Sequence, residues 1–338
     1  KFSYLLGLRT EITDVKVRLT NTNENFDYKY TELFPTINIG FERTEDQSFT
    51  VGYSRRLRRP RFWYLNPFES RSSQNVIYKG NPGLTPTFTN SFDLGYLQKI
   101  GKLTLNSSIY FQHSINSILR VSRDEIRLLD GVNQVITIRE PINLASEDRF
   151  GFELTANYNP SKKVRLSGSF NVFQQESKGL YAYNKFIIDE VTGAISVTPE
   201  TQDLGNTNNS WFTRFNATFS LPWKIQMQNR LSYRGPRNTA QSDSEGIFSA
   251  NIALSKDVFK EKGSLVLNVS DVFNSRKRKS TNYNPSIENP TSISYQESQW
   301  RVRQVSLNFT YRFNQKKKQQ RDRRGGEDFE GGEDFGTP

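Results

Sequence analysis

Residues 103–112, Leu-Thr-Leu-Asn-Ser-Ser-Ile-Tyr-Phe-Gln, decide the fold, because apolar and polar residues alternate along this stretch. In a β-strand successive side chains point to opposite faces, so Leu103, Ile109 and Phe111 lie on one face while Asn106 and Tyr110 lie on the other. The pattern recurs at residues 164–172 and 211–219. No apolar face of these stretches carries a charge, whereas their polar faces accept Arg165 and Arg214.

Charge-free apolar faces are typical of strands that face lipid, since an Arg or Lys near the bilayer midplane costs roughly 2 to 4 kcal/mol. The alternation predicts an all-β, antiparallel, up-and-down transmembrane barrel with twelve strands in this chain. They are placed at about residues 1–19, 29–43, 47–57, 88–99, 102–119, 145–158, 162–176, 207–221, 223–235, 243–257, 263–276 and 297–313.

The connections between these strands alternate between short and long. Short turns include residues 99–102 and 159–162, while long loops cover about 58–87, 120–144 and 177–206. Outer-membrane barrels have short periplasmic turns and long extracellular loops. We therefore expect the short turns and both ends of residues 1–313 on the periplasmic side. Turn-forming residues at 130–133 and 189–193 predict hairpins within two of the long loops.

The composition agrees with a barrel. Hydrophobic residues make up only 34% of the chain, and the sequence contains no apolar run long enough for a membrane helix. Aromatic residues nevertheless reach 13%. This aromatic content predicts rings of aromatic side chains at the two membrane interfaces. Tyr158 and Trp223 are candidates for the periplasmic ring. Apolar and polar residues also alternate in a soluble β-sandwich or solenoid, which is the alternative fold. Neither fold would explain why the long loops occur on one side only.

The net charge of +11 comes mainly from basic clusters at residues 55–61 and 316–324, outside the regular strands. This distribution favours lipid headgroups or lipopolysaccharide phosphates as counter-charges and argues against a nucleic-acid partner. The chain has no cysteine and a single histidine, His113, on the outward face of its strand. We therefore expect no catalytic residues, no cofactor and no metal site.

Several motifs carry a family resemblance. They are Tyr53-Ser54-Arg55-Arg56, Leu65-Asn66-Pro67-Phe68, Gly80-Asn81-Pro82-Gly83-Leu84-Thr85-Pro86, Ser91-Phe92-Asp93-Leu94-Gly95-Tyr96 and Val269-Ser270-Asp271-Val272-Phe273-Asn274. In this order they resemble the carboxy-terminal barrel region of TonB-dependent-receptor-like outer-membrane proteins of the Bacteroidetes type. The last strand ends at Phe313 and resembles the aromatic-ended strand that the outer-membrane insertion machinery reads.

The resemblance implies a barrel of about twenty-two strands with an amino-terminal plug, of which residues 1–313 would form the second half. It also implies import of a bulky nutrient through the plugged lumen, with TonB and possibly a surface lipoprotein as partners. A self-contained twelve-strand barrel is the alternative, since an even number of strands also permits closure.

Residues 314–338 depart from the family pattern. This tail is basic and then acidic, and it contains Gly-Gly-Glu-Asp-Phe twice. Such composition predicts a disordered periplasmic tail. The alternative is that the tail is a docking peptide anchored by Phe329 and Phe335. This alternative fits a second functional hypothesis, in which the chain is a structural or accessory subunit of a complex for outer-membrane protein assembly, secretion or surface display.

Candidate ligand contacts come from the first long loop: Arg58, Arg59, Arg61, Trp63 and Tyr64. Guanidinium groups and aromatic faces together suit anionic glycans, peptides or siderophore-like ligands. The alternative is that these residues anchor the barrel rim among lipopolysaccharide phosphates.

Overall fold

The computed structural model describes residues 1–20, 24–129, 131–189, 192–288 and 290–313. Twelve strands form one antiparallel sheet, the main sheet, in chain order. Strands are numbered along the chain, and those of the main sheet are β1 Phe2–Leu19, β2 Glu24–Thr44, β3 Gln47–Arg58, β6 Thr87–Ile100, β7 Leu103–Ile115, β10 Ser146–Ser161, β11 Val164–Lys178, β14 Asn206–Leu221, β15 Ile225–Arg234, β18 Ile247–Val258, β19 Gly263–Ser270 and β22 Gln304–Tyr311. The predicted strand number and up-and-down order are confirmed.

The remaining strands belong to the long loops and form a second layer, the cap, at one end of the main sheet. The first cap sheet contains β4 Ser70–Ser73, β5 Val76–Tyr78, β8 Ile118–Leu129 and β9 Val132–Asn143. A hairpin contains β12 Leu180–Ile188 and β13 Ile195–Asp203. The last cap sheet contains β16 Arg237–Thr239, β17 Ser242–Ser244, β20 Arg278–Asn284 and β21 Ser292–Ser298. A four-residue helix, α1 Phe62–Leu65, lies in the first long loop.

The two hairpins predicted within long loops are β8–β9 and β12–β13, so this prediction is confirmed. Five predicted strand bounds were wrong by four residues or more. The strand expected at 29–43 begins already at Glu24, and the strand expected at 243–257 begins only at Ile247, because residues 242–244 pair within the cap.

The other three errors lie where strands leave the main sheet for the cap. The strand expected at 102–119 ends at Ile115, because Asn116 has a positive φ of 56° and turns the chain into β8. The strand expected at 263–276 ends at Ser270, where Asp271 begins a hydrogen-bonded turn. The strand expected at 297–313 begins only at Gln304, because residues 292–298 pair within the cap.

The two faces of the main sheet differ in chemistry, and cross-strand pairing keeps them separate. Leu154 pairs with Phe170 on the apolar face, and the next residue, Thr155, pairs with Asn106 and Ser169 on the polar face. Along β10 the apolar face carries only Phe150, Phe152, Leu154, Ala156 and Tyr158 between Asp148 and the short turn. Ten residues at about 3.4 Å each, tilted by about 40°, span roughly 26 Å, which matches the lipid-facing band of outer-membrane barrels.

Large apolar side chains of the main sheet stay exposed, whereas the cap has buried cores. Leu94 on the apolar face is 52% exposed, although it lies in the middle of β6. In the cap, Val121, Leu144 and Leu204 pack with Tyr181, and Ile77, Ile136 and Ile138 form a second buried cluster. Water would not tolerate such a large exposed apolar face, so the main sheet requires an apolar surrounding.

The main sheet has two edge strands. Within the described residues β1 pairs only with β2, and β22 pairs only with β19. Both Phe2 and Tyr311 lie at the short-turn end, as the sequence predicted. No helix in the described part of the chain is long and apolar enough to cross a membrane.

Candidate functional site at the mouth of the polar face

A row of polar side chains crosses three neighbouring strands where the polar face meets the cap. Arg149 of β10 pairs with Gln175 of β11, and Gln175 pairs with Asn208 of β14. Arg149 donates a hydrogen bond to the Gln175 side chain, and its guanidinium lies 4.4 Å from the centre of the Phe173 ring. Asn208 accepts a hydrogen bond of 3.0 Å from the backbone N–H of Asn238. This row therefore joins the main sheet to the start of the last cap sheet.

Six arginines from six strands converge on this region, and we call them the arginine cluster. They are Arg58, Arg120, Arg149, Arg234, Arg237 and Arg278. Within the main sheet, the alternation places Arg58, Arg149 and Arg234 on the polar face at the long-loop ends of their strands. Arg237 and Arg278 begin the cap strands β16 and β20.

Electrostatics set the arginine cluster apart. Desolvation by the surrounding protein lowers the pKa of Arg237, and the charges of Arg149, Arg234 and Arg58 lower it further, while Glu147 opposes the shift. Desolvation likewise lowers the pKa of Arg278, with added repulsion from Arg120, Arg234 and Arg237. Because the Arg237 side chain is solvent-exposed and yet surrounded by protein, it lies in a concave space that solvent can enter.

Two other arginines of the cap, Arg123 and Arg127, are neutralised by carboxylates. Arg123 contacts Glu125 and Glu140 at 3.1 and 3.2 Å, and Arg127 holds Glu69 through two hydrogen bonds of 2.7 and 2.8 Å. Arg58, Arg149, Arg237 and Arg278, in contrast, form no ion pair with any described residue. The mouth of the polar face therefore carries positive charge that its own carboxylates do not cancel.

The structure divides the five residues that the sequence singled out. Arg58 lies in the arginine cluster, and the ring of Tyr64 lies 5.7 Å below the guanidinium of another member, Arg120. Arg59 is ion-paired with Glu11 of β1. Arg61 stacks on Trp63 at 5.1 Å from the ring centre. Two of the five predicted contacts, Arg58 and Tyr64, thus join the mouth, whereas Arg59 binds a carboxylate of β1.

The motif at residues 80–84 fixes the loop that carries these residues. The backbone N–H of Gly80 donates to Asn66, and that of Asn81 donates to Tyr64. A Cβ on Gly80 would lie 2.2 Å from the Asn66 carbonyl oxygen, so the close approach requires glycine. Asn143 of β9 bonds both the N–H and the carbonyl of Thr85. The motif is therefore a clasp that holds the Tyr64 turn against the cap.

Sequence reasoning missed five members of the cluster: Arg120, Arg149, Arg234, Arg237 and Arg278. A signal for Arg149 and Arg234 was present, since each is an arginine of polar-face parity at the long-loop end of a predicted strand. Arg237 and Arg278 lie outside the main sheet, in short cap strands. There the alternation of apolar and polar residues does not indicate which way a side chain points. Only the folded cap brings Arg237 to Arg149 and Arg278 to Arg237.

A second concave region lies within the cap, between the β8–β9 and β12–β13 hairpins. This cleft has a volume of about 570 Å³, and its floor carries the stacked rings of Tyr181 and Tyr183, with centres 5.4 Å apart. Tyr181 donates a 2.6 Å hydrogen bond to Glu140, and burial together with this carboxylate raises the pKa of Tyr181. The charged groups of the cleft bind one another, because Arg123 contacts Glu125 and Glu140, and Lys185 contacts Glu200.

The other predicted residues lie as follows. His113 is on the apolar face, as expected, with Nδ1 2.6 Å from Asp148 at the upper limit of the apolar band. Tyr158 and Trp223 are 43% and 80% exposed at the short-turn end. Phe313 is 80% exposed, and its ring contacts Tyr311. The tail at 314–338, including Phe329 and Phe335, lies outside the described residues. Among described residues no group of three His, Cys, Asp or Glu side chains could hold a metal ion.

Twelve long antiparallel strands, an exposed apolar band and a cap of loops at one end define a transmembrane β-barrel protein of the outer membrane. Residues 1–311 match the Outer membrane protein beta-barrel family, and the chain belongs to this family. Its location is therefore the outer membrane of a Gram-negative bacterium. No curated protein matches the chain in sequence.

Several solved structures share the fold, including the following two. The FrpB iron transporter from Neisseria meningitidis (F3-3 variant) superposes with a TM-score of 0.52 at 16% identity, over 92% of this chain and 42% of that chain. The ferric yersiniabactin uptake receptor FyuA from Yersinia pestis superposes with a TM-score of 0.53 at 12% identity, over 91% of this chain and 42% of that chain. The chain thus spans less than half the length of each.

Proposed function

We propose that the chain forms part of a TonB-dependent-receptor-like importer, which binds a bulky ligand at its extracellular mouth and passes it through a plugged lumen. The observation that carries this proposal is the polar face, which leads from the arginine cluster at the long-loop end to the short turns. In this reading the polar face lines the lumen, and the short turns and both ends of residues 1–313 are periplasmic.

The open main sheet supports a larger barrel. The two edge strands expose backbone N–H and C=O groups that have no partner among the residues that the structure describes. β1 has 18 residues and β22 is apolar on one face, so these groups would face a bilayer, which cannot hydrogen-bond them. Further strands from the same protein would pair with both edges and close a barrel of about twenty-two strands. The Bacteroidetes type, the plug and the TonB partner stay predictions from the sequence motifs.

Cysteine pairs across the two edges test this architecture. The chain has no cysteine, so introduced cysteines are the only thiols in residues 1–338. Each test variant carries one cysteine on β1, at residue 4, 6 or 8, and one on β22, at residue 305, 307 or 309. A disulfide needs Cα atoms within about 7 Å. In the full-length protein we expect no β1–β22 crosslink under oxidation, whereas crosslinking in any of the nine combinations would mean a closed twelve-strand barrel. Pairs across β1–β2, such as Leu6 with Ile37, are the positive control.

Depletion of nutrients from culture medium tests transport. Cells with the full-length protein should remove at least one large solute that cells lacking the gene leave behind, and removal of TonB should abolish this difference. Identical depletion profiles of all three strains would contradict import.

The second hypothesis, a subunit of an envelope complex docked through residues 314–338, concerns a tail outside the described residues. Deletion of this tail should leave solute depletion intact under the import proposal. Loss of co-purifying partners with unchanged depletion profiles in all strains would favour the complex instead.

A further inference from the structure

We infer that the arginine cluster binds a soluble ligand that carries at least two oxyanion groups, phosphates or carboxylates, with Arg149, Arg237 and Arg278 as principal contacts. This inference rests on the proposed function, because it names the chemical class of ligand that enters the mouth of the polar face.

Arg149 is oriented before any ligand arrives. Its guanidinium stacks on Phe173 and donates to Gln175, while its Nε is buried without a hydrogen-bond partner. A guanidinium held in this way offers a planar fork that matches the two oxygens of a carboxylate or phosphate. An unsatisfied buried donor is costly. A bound oxyanion would remove that cost.

Asn208 supplies a second unused donor at the same height. It is only 3% exposed, and its Nδ2 has no hydrogen-bond partner. Its Oδ1 is occupied by the N–H of Asn238, the residue next to Arg237. The unused donors of Arg149 on β10 and Asn208 on β14 therefore lie in one cross-strand row, next to the cap residue Asn238 and its neighbour Arg237.

The charge balance favours a multivalent anion. Of the six members of the cluster, four form no ion pair with a described residue, and Glu147 is the carboxylate whose charge acts on Arg237. A concave surface on which one sign of charge is in excess focuses its field and concentrates counter-ions. A ligand with a single carboxylate would leave most of this charge uncompensated, whereas two or more oxyanions could bridge Arg149 and the cap arginines.

The position of the cluster argues for a soluble ligand over lipopolysaccharide. Arg58, Arg149 and Arg234 point from the polar face, and the lipid-facing side at this height carries His113 and Asp148. Lipopolysaccharide phosphates surround the apolar face, and the main sheet lies between them and the cluster.

Calorimetric titration of the detergent-solubilised full-length protein tests the inference, with sodium tripolyphosphate and tricarballylate as probes. We expect saturable binding of at least one probe and no binding of maltohexaose, a neutral control. Replacing both Arg237 and Arg278 with Gln should weaken the Kd by at least about tenfold, since each substitution removes charge-assisted hydrogen bonds. Arg237→Lys should give an intermediate loss, because lysine keeps the charge but not the fork.

The matched control is Arg43→Gln with Lys162→Gln, which removes two positive charges at the short-turn end. We expect this control to change the Kd by less than about twofold, since its charges lie beyond the screening length from the mouth. Equal weakening by both double variants would overturn a defined site, and so would absence of binding to the wild-type protein. Unchanged heat-dependent electrophoretic mobility verifies that each variant is folded.

The outcome separates this inference from the proposed function. If the probes bind at the cluster but nutrient depletion does not need TonB, the anion site stands and the import mechanism falls. If depletion needs TonB but the depleted solute is neutral and the probes do not bind, import stands and the anionic ligand class is wrong.

Discussion

Leu154 offers the sharpest test of which face meets lipid. It lies on the apolar face of β10, third of the five apolar positions between Asp148 and the short turn, and so close to the middle of the band. Its neighbour Thr155 points to the polar face, where it pairs with Asn106 and Ser169. Leu154→Arg and Thr155→Arg therefore introduce the same charge, one residue apart, on opposite faces.

The expected costs differ by about 1 to 4 kcal/mol. An arginine near the bilayer midplane of an outer-membrane barrel costs about 2 to 4 kcal/mol, whereas a lumen position keeps its contact with water. We expect Leu154→Arg to lower the free energy of unfolding by this amount and Thr155→Arg to lower it by less than about 1 kcal/mol. At about 1.4 kcal/mol per tenfold, Leu154→Arg should shift the folding equilibrium by roughly 30-fold to 1000-fold.

Denaturant unfolding of the full-length protein in lipid vesicles, followed by tryptophan fluorescence, measures both values. Leu154→Gln serves as the control for loss of the apolar side chain without a charge. Equal costs for the two arginine variants, or a larger cost at Thr155, would refute the assignment of the apolar face to lipid.

Three further predictions concern the polar face and the cap. Gly151→Ala places a Cβ 2.4 Å from the Tyr110 ring, so we expect a loss of about 1 to 3 kcal/mol in the same unfolding assay, relieved when Tyr110 is also changed to Ser. Asn143→Ala removes the side chain that bonds Thr85 and should speed limited proteolysis of the 58–87 loop, with unchanged cleavage counting against the clasp. Arg127 lowers the pKa of the Glu69 carboxyl, so this pair stabilises the cap above the ordinary carboxyl pKa and loses its effect as the pH falls through the lowered value. The protection factors of the cap amides, which correct for the pH dependence of intrinsic exchange, should therefore fall as the pH drops from about 5 to about 3, and Arg127→Gln should reduce that acid sensitivity.

Alternation by itself located the main sheet with little error. It works because the two faces of each strand meet different solvents, so residues such as Leu105 and Asn106 report their own orientation. The same signal fails where strands leave the membrane. The bounds at Ile115, Ser270 and Gln304 depend on a positive φ, an aspartate turn and pairing within the cap, none of which changes the alternation.

The candidate site was predictable only in part. Arg58 and Tyr64 were identified from a run of basic and aromatic residues, but the same run contains Arg59, whose partner is Glu11 on a strand 48 residues away. Local composition cannot distinguish a guanidinium that is neutralised by a distant carboxylate from one that is not.

The sequence therefore determined twelve strands, their order and the faces they present, because these follow from residue period and loop length. Only the tertiary structure brought Arg237 of the cap to Arg149 of β10, and Arg278 to Arg237, since contacts between distant loops depend on how the hairpins pack. Whether a charge is compensated is a property of that packing, and the anion site proposed for the mouth of the polar face depends on it.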